Sequence, residues 1–277
     1  MCLRPPTLPR FLQASGALPA LPEVAHQLLA LFGREDLALA ELVDLIASDT
    51  ALAIRLLRLA NSARYRPLTR VTRLQDAAAI IGLAPLRSMA LGACLAQAFP
   101  RPAGFDRLRF WRQNLATAGY ARWLAAHLGL DGDRAEVAGL LLRSGELLML
   151  LVEPDLTALV QAQAILPDSV FDLQRHHLGC THAELSAELA VHWRLPTAIV
   201  DALFTAGDPL AWQPFSADGA LLRVASLLAD AAGRDPLAAL QRHQPLLASG
   251  LRLDLAALAR RLPDFAGLTA NATDLLH

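Results

Sequence analysis

The sequence contains no lysine: all 25 of its basic residues are arginine. The plain source of such a bias is a GC-rich genome. A guanidinium fork does suit phosphate and carboxylate, but abundance alone does not show that use. Cysteine is scarce as well. Cys2, Cys94 and Cys180 are odd in number and far apart. This argues against a disulfide framework and fits reduced thiols. Charged residues make up 18% of the chain and the net charge is −1, so no global field draws in nucleic acid or an anionic membrane. Apolar runs stay short of the roughly 18 residues that a membrane helix needs. The nearest candidate, VAGLLLRSGELLMLLV, is interrupted by Arg143 and Glu146. The N-terminal MCLRPPTLPRFLQ lacks an apolar run with a cleavage site, so no secretion signal is read. A cytoplasmic protein without a membrane span is expected.

Valine and isoleucine are also few, ten and six, and no sustained period-2 alternation exists. That excludes a substantial sheet. What remains is a chain that is 54% apolar, dominated by Leu and Ala, enough for a well-buried interior and too much for disorder. Helix signals recur along it. PEVAHQLLALF puts Val24, Leu28 and Leu31 on one face, and LAELVDLIAS follows. Asp49 can cap TALAIRLLRLANSA, and Thr72 with Gln75 makes a capping box for RLQDAAAIIG, which Gly82 can end. Pro85 opens PLRSMALGACLAQAF. After PRPAG, residues 100–104, helical pattern resumes in RLRFWRQNLATAGYARWLAAHLG, DRAEVAGLLLRSGELLMLLVE, PDLTALVQAQAIL, PDSVFDLQRHHLG, THAELSAELAVHWR and PTAIVDALFTAG. GDPLAWQPFS, residues 207–216, reads as a loop, and ALLRVASLLADAAG returns to helix. The fold class is all-α, a two-lobed helical bundle. Its expected parts are a lobe over 10–100, a second lobe over 105–232, and a helical tail over 233–277 packing on them.

The segment RHHLGCTH, residues 175–182, gathers His176, His177, Cys180 and His182. Metal ligands must converge on one point. Gly179 ends one helix here, and Thr181 with Glu184 makes the capping box of the next. The four candidates therefore straddle a corner, and His176 and His177 diverge by about 100° on a helix. At most two or three of them can face one ion. A polar corner with Cys180 turned inward is the ordinary reading.

No G-x-S-x-G, P-loop, G-x-G-x-x-G or H-E-x-x-H motif occurs. The acid pairs Glu35/Asp36 and Asp131/Asp133 flank helices, where capping explains them. Cys94 lies in an Ala/Leu-rich helix and reads as core rather than as a nucleophile. The most polarised stretch is 55–87, where Arg55, Arg58, Arg64, Arg66, Arg70, Arg73 and Arg87 meet one acid, Asp76. A solvated face with ordinary ion pairs is the simpler reading. As a functional surface, Arg55 to Arg73 would contact an acidic partner or anion. One such patch on a neutral chain supports weak nucleic-acid binding at most.

The series LPALPEVAHQLLALF, LAELVDLIASDTALAIRLLRLANSARY and VTRLQDAAAIIGLAPLRSMAL, followed by LGCTHAELSAELAVHWRLP, resembles the HDOD family over roughly residues 10–232. These are bacterial signalling modules related to HD-type metal-dependent phosphohydrolases. The resemblance implies a second lobe shaped like an HD phosphohydrolase. It also implies a degenerate metal site. Gln113 stands where the enzymes' first His is expected. Leu142 and Arg143 stand where their His-Asp pair is expected, with Gly145 retained. Thr205 and Ala206 stand near a later His pair. His182 survives without those partners. Leucine has no lone pair, and arginine adds a positive charge that repels a cation. Arg143 can pair with Glu146 at i+3, or fill the vacated pocket and receive an anion.

The resemblance thus implies a non-enzymatic regulatory protein of bacterial signal transduction, without cofactor, contacting signalling proteins that include those of cyclic-dinucleotide networks. Two other readings stay open. One is a metal-dependent phosphohydrolase with a rearranged site from His176, His177, Cys180 and His182. The other is a nucleotide or nucleic-acid binder using the arginine-rich stretch.

Overall fold

The computed structural model describes residues 8–14, 18–31, 34, 37–62, 65, 67, 69–99 and 105–273. Arg64, Arg66, Glu35, Asp36 and the expected boundary at 100–104 lie outside the described residues. Among the described residues every regular element is helical.

The first half holds α1 (Leu8–Ala14), α2 (Glu23–Ala30), α3 (Leu39–Ala47), α4 (Thr50–Ala60), α5 (Leu74–Ile81) and α6 (Leu83–Ala98). Leu42 and Ile46 of α3, and Leu52, Leu56 and Leu59 of α4, are buried. Their three- and four-residue spacing gives each helix one apolar stripe, which it turns toward the core. Asp49 starts α4 by accepting from the amides of Ala51 and Leu52 at 2.9 and 3.1 Å, a cap worth about 1 kcal/mol. Gly82 ends α5 at φ 87°, where a side chain would be strained.

The second half begins with α7 (Arg107–Leu128), α8 (Gly132–Leu141), α9 (Ser144–Val152) and α10 (Pro154–Gln163). It continues with α11 (Ser169–Leu178), α12 (His182–His192), α13 (Thr197–Ala206) and α14 (Ala217–Asp230). Helix α7 packs on α8 and α14, α14 on α8 and α13, and α12 on α9 and α13. Helix α12 is buried nearly all round, as a helix in the middle of a bundle must be. Of the remaining helices, α15 (Pro236–His243) and α16 (Pro245–Gly250) lie on α14. Helix α17 (Leu255–Ala259) precedes α18 (Phe265–Thr269), which lies on α7.

Contacts between the halves are partly polar. Arg87 of α6, buried, pairs with Asp133 of α8 at 2.7 Å, and Ser88 bonds Glu136. Arg122 reaches both Asp133 and Glu136 at 2.6 Å. Helix α1 sits on α9 and α12, with Leu8 and Phe11 buried.

Four local expectations are corrected. The Thr72–Gln75 capping box does not form: α5 starts at Leu74 with Arg73 as N-cap and no side-chain cap bond. Helix α6 starts at Leu83, so Pro85 lies inside its first turn, where a missing amide costs nothing. The stretch 207–216 contains a one-turn 3-10 helix, Pro209–Ala211. The single helix read over 133–153 is broken between Leu141 and Ser144. The cause is tertiary. Ser186 of α12 donates to the Leu142 carbonyl at 2.7 Å and accepts from the Gly145 amide at 2.8 Å, in place of intrahelical bonds.

Candidate functional site

The break between α8 and α9 sets the site. A Cβ on Gly145 would stand 2.2 Å from the His182 carbonyl oxygen, so only glycine lets α9 approach the start of α12 this closely. Arg143 adopts φ −94° and ψ 4° at the break and reaches from there to α14. Its guanidinium is 3% exposed. It donates to Glu146 at 2.8 Å, to Ser226 Oγ at 3.0 Å and to Asp230 at 2.5 Å. The Arg143–Glu146 pair expected from the i+3 spacing is therefore made, with a second carboxylate from α14 completing a bridge. Burial works against the charge on Arg143, but Asp230 and Glu146 outweigh it and hold its pKa above the usual value.

Gln113 of α7 joins this bridge by donating to Asp230 Oδ1 at 3.2 Å. His182, fully buried, stands on the other side with Nδ1 at 3.6 Å from Glu146 Oε1. The Gln174 side-chain oxygen accepts from both the His182 amide at 2.8 Å and Nδ1 at 2.7 Å. That assigns the proton to Nδ1 and leaves Nε2 as a bare acceptor, without a partner. Burial, then Arg143 and Arg223, push the His182 pKa well below 6.5, so the ring is neutral near pH 7. Glu146 is shifted upward by burial, with Arg143 opposing and Asp230 adding to the rise.

A second buried pair supports the first. Phe171 of α11 lies under the His182 ring at 4.4 Å between centroids, and the Arg223 guanidinium stands 3.5 Å from its centroid. Arg223 grips Asp168 and donates to the carbonyls of Ala206 and Gly207. Gln244 also reaches Asp168. Thus these contacts tie α11, α12, α13 and α14 together beneath the Arg143 bridge.

Of the positions that the resemblance marks as degenerate, Gln113, Arg143 and His182 are brought together, linked through Asp230 and Glu146. Leu142 is buried beside them. Thr205 is engaged elsewhere, bonding Ser216 Oγ at 2.7 Å and its own helix at Asp201. The corner residues part into two pairs. The His176 and His177 rings meet edge to face at 4.7 Å, with His177 also meeting Gln163 at 3.1 Å, and Cys180 is buried with His182. Among the described residues no three His, Cys, Asp or Glu side chains converge as metal ligands. At the bridge itself a guanidinium stands between the two carboxylates, so the residues present do not fit a divalent ion.

Among the described residues, the arginines of the 55–87 stretch differ in burial. Arg87 is interior and paired with Asp133, Arg55 is half-buried, and Arg58, Arg70 and Arg73 face solvent. Asp230 was missed by sequence reasoning, and so were Gln174 and Arg223. Asp230 did leave a signal. It is an acid at the C-terminal end of an apolar helix, where the macrodipole disfavours negative charge, so some other contact has to hold it there.

A cavity of about 510 Å³ opens above the bridge. Arg143, Glu146, Asp230 and Gln113 lie at it, with Phe105, Phe110 and the turn after α10 around them. The HDOD domain matches residues 18–209 of the chain. The chain belongs to the HDOD family. A protein of Shewanella amazonensis SB2B, named provisionally as a phosphohydrolase, has the same fold at a TM-score of 0.75. It is 27% identical, and the alignment covers 97% of this chain and 98% of that one. A provisionally named signal transduction protein of Marinobacter aquaeolei VT8 is 26% identical at a TM-score of 0.70, covering 94% of this chain and 58% of that chain. An uncharacterised protein of Treponema pallidum (strain Nichols) is 28% identical over 194 residues, 67% of this chain. This HDOD chain spans only 37% of the length of that curated relative. No single helix among its described residues is long and apolar enough to cross a membrane.

Proposed function

We propose that this HDOD chain is a non-enzymatic regulatory protein of signal transduction that works through contacts with partner proteins. One observation carries the reading. It is the Arg143 guanidinium, bound to Glu146, Asp230 and Ser226 at the position where the family resemblance implies a metal-ligating Asp in the enzymes. The guanidinium already takes one oxygen of each carboxylate, the donors a divalent ion would have to collect. His182, the surviving histidine, is neutral and already engaged with Gln174. Membership of the HDOD family and the Marinobacter relative's name support a signalling role. The exposed Arg58, Arg70 and Arg73 offer a contact for an acidic protein face.

The test uses the whole chain, assayed with Mn²⁺, Mg²⁺, Fe²⁺ and Zn²⁺ against aryl phosphodiesters and cyclic dinucleotides. No turnover above the metal blank is expected, and no stoichiometric metal after purification. Metal-dependent hydrolysis that disappears in His182→Ala would return the chain to the enzymes. In-cell crosslinking then identifies the partner. Its activity should change on titration with the wild-type chain and respond less to an Arg70→Glu/Arg73→Glu variant. An equal response would remove this face from the contact.

A further inference from the structure

The bridge leaves half of each carboxylate unused. Arg143 and His182 approach Glu146 through Oε1, and Arg143 and Gln113 approach Asp230 through Oδ1. Among the described residues no donor reaches Glu146 Oε2 or Asp230 Oδ2. The two side chains are 8% and 12% exposed, and both line the 510 Å³ cavity. Each remaining oxygen is open to the cavity, where it is an acceptor for whatever enters.

The charges divide along the cavity. Its floor carries two carboxylates against one guanidinium, a deficit of one positive charge. Its mouth carries Arg109 and Arg234 against Asp106, an excess of one. Arg109 is exposed and makes no side-chain hydrogen bond among the described residues, while its charge favours the ionised form of Glu146. Arg234 donates one N–H to the Ile165 carbonyl at 3.0 Å and keeps the rest. Asp106 is committed to capping α7 through the Arg109 amide. A connected depression of about 310 Å³ adds Arg112 to the same mouth. Phe105, Phe110 and Val170 supply apolar wall between floor and mouth. The volume lies in the range of small-molecule sites.

We propose that this cavity binds a small organic zwitterion, its protonated nitrogen against Glu146 and Asp230 and its acid group against Arg109 and Arg234. A bare cation would satisfy the floor and leave the mouth unpaired. A bare anion would do the reverse and face the two carboxylates. A divalent ion needs several donors converging on it, and Arg143 already holds one oxygen of each carboxylate. The inference goes beyond the regulatory reading and does not depend on it. Phosphodiester turnover would overturn that reading alone, and absent binding would overturn this one alone.

The experiment titrates the full chain by calorimetry and thermal shift with five probes. L-Arginine and O-phosphoethanolamine are zwitterions with a carboxylate and a phosphate, which tells the two acid groups apart. Agmatine is the cation without the acid, glutarate is the acid without the cation, and Mn²⁺ is the metal alone. At least one zwitterion should bind saturably, and agmatine and glutarate at least about tenfold more weakly, the scale of one charged hydrogen bond. Arg109→Gln and Arg234→Gln, both at exposed positions that leave the interior intact, should each weaken the zwitterion by about tenfold. Asp230→Asn should weaken it as well, with circular dichroism showing that the variant is folded. The inference fails if agmatine binds as well as L-arginine, if the mouth variants bind like the wild type, if Mn²⁺ alone saturates the site, or if neither zwitterion binds.

Discussion

Replacing Arg143 by methionine tests the bridge itself. The change keeps much of the side-chain volume and removes one charge that is 3% exposed. It withdraws three donors at once, leaving Glu146 and Asp230 without their cation and Ser226 without its partner. Breaking a buried ion pair from one side costs about 3–5 kcal/mol, because the remaining charge stays desolvated. With an unfolding entropy of about 2.1 cal/mol/K per residue, that corresponds to a fall of roughly 5–9 °C in Tm for a chain of this length. The loss should depend on pH. Glu146 already sits above the ordinary carboxylate range because burial outweighs Arg143, and losing Arg143 lifts it further. A carboxyl that binds its proton more tightly folded than unfolded favours the fold when protonated. The variant should therefore lose stability as pH rises above the unfolded value of about 4.3 and toward the raised folded value. A companion Arg143→Met/Glu146→Gln/Asp230→Asn removes all three charges and should recover most of the loss. Urea unfolding monitored by circular dichroism at several pH values reads both. A cost below about 1 kcal/mol for Arg143→Met, with an unchanged m-value, would refute the reasoning, since a surface pair is worth no more.

Other outcomes follow from the same contacts. His182→Gln should flatten part of the pH–stability curve: the buried ring resists protonation, so wild type loses about 1.4 kcal/mol per pH unit below 6.5 until the folded pKa is reached. The difference between the two unfolding curves isolates that loss, and identical slopes would contradict a buried neutral His182. Gly145→Ala forces α9 away from the His182 carbonyl and should cost at least about 1–3 kcal/mol by overpacking, measured by chemical denaturation. The Cys94 thiol, pushed up to about 12 by burial and then Asp49, should stay unmodified by maleimide until the chain unfolds, as mass spectrometry of the labelled peptide would show. The triple change Gln113→His/Leu142→His/Arg143→Asp removes the guanidinium and supplies lone pairs beside Asp230. It should bind Mn²⁺ in calorimetry where wild type does not, and no binding by the folded variant would contradict the reading that these positions form one site.

Much of the architecture could be read from local signals because local chemistry made it. Asp49 caps α4, Gly179 ends α11 in the left-handed region, and the Thr181–Glu184 box opens α12, each within a few residues of its partner. The Thr72–Gln75 box carries the same sequence signature and fails, because α5 begins one residue later with Arg73 as its cap. The break at Leu142–Arg143 had no local signal either, since Ser186, more than forty residues away, takes the backbone groups that a continuous helix would use. The site was half legible. Resemblance placed Gln113, Arg143 and His182 in one constellation. Spacing alone offered only the pairing with Glu146. The contacts of Asp230 and Gln174 cross between helices, and no period in the sequence carries that information.

The central claim is that a guanidinium, not a metal ion, sits between Glu146 and Asp230. A crystal structure of the whole chain grown in excess Mn²⁺, with anomalous differences recorded at the manganese edge, addresses it most directly. The account predicts the Arg143 Nη atoms within hydrogen-bond distance of both carboxylates and no anomalous peak among Gln113, Glu146, His182 and Asp230. A manganese peak there, with Arg143 swung out, would contradict it.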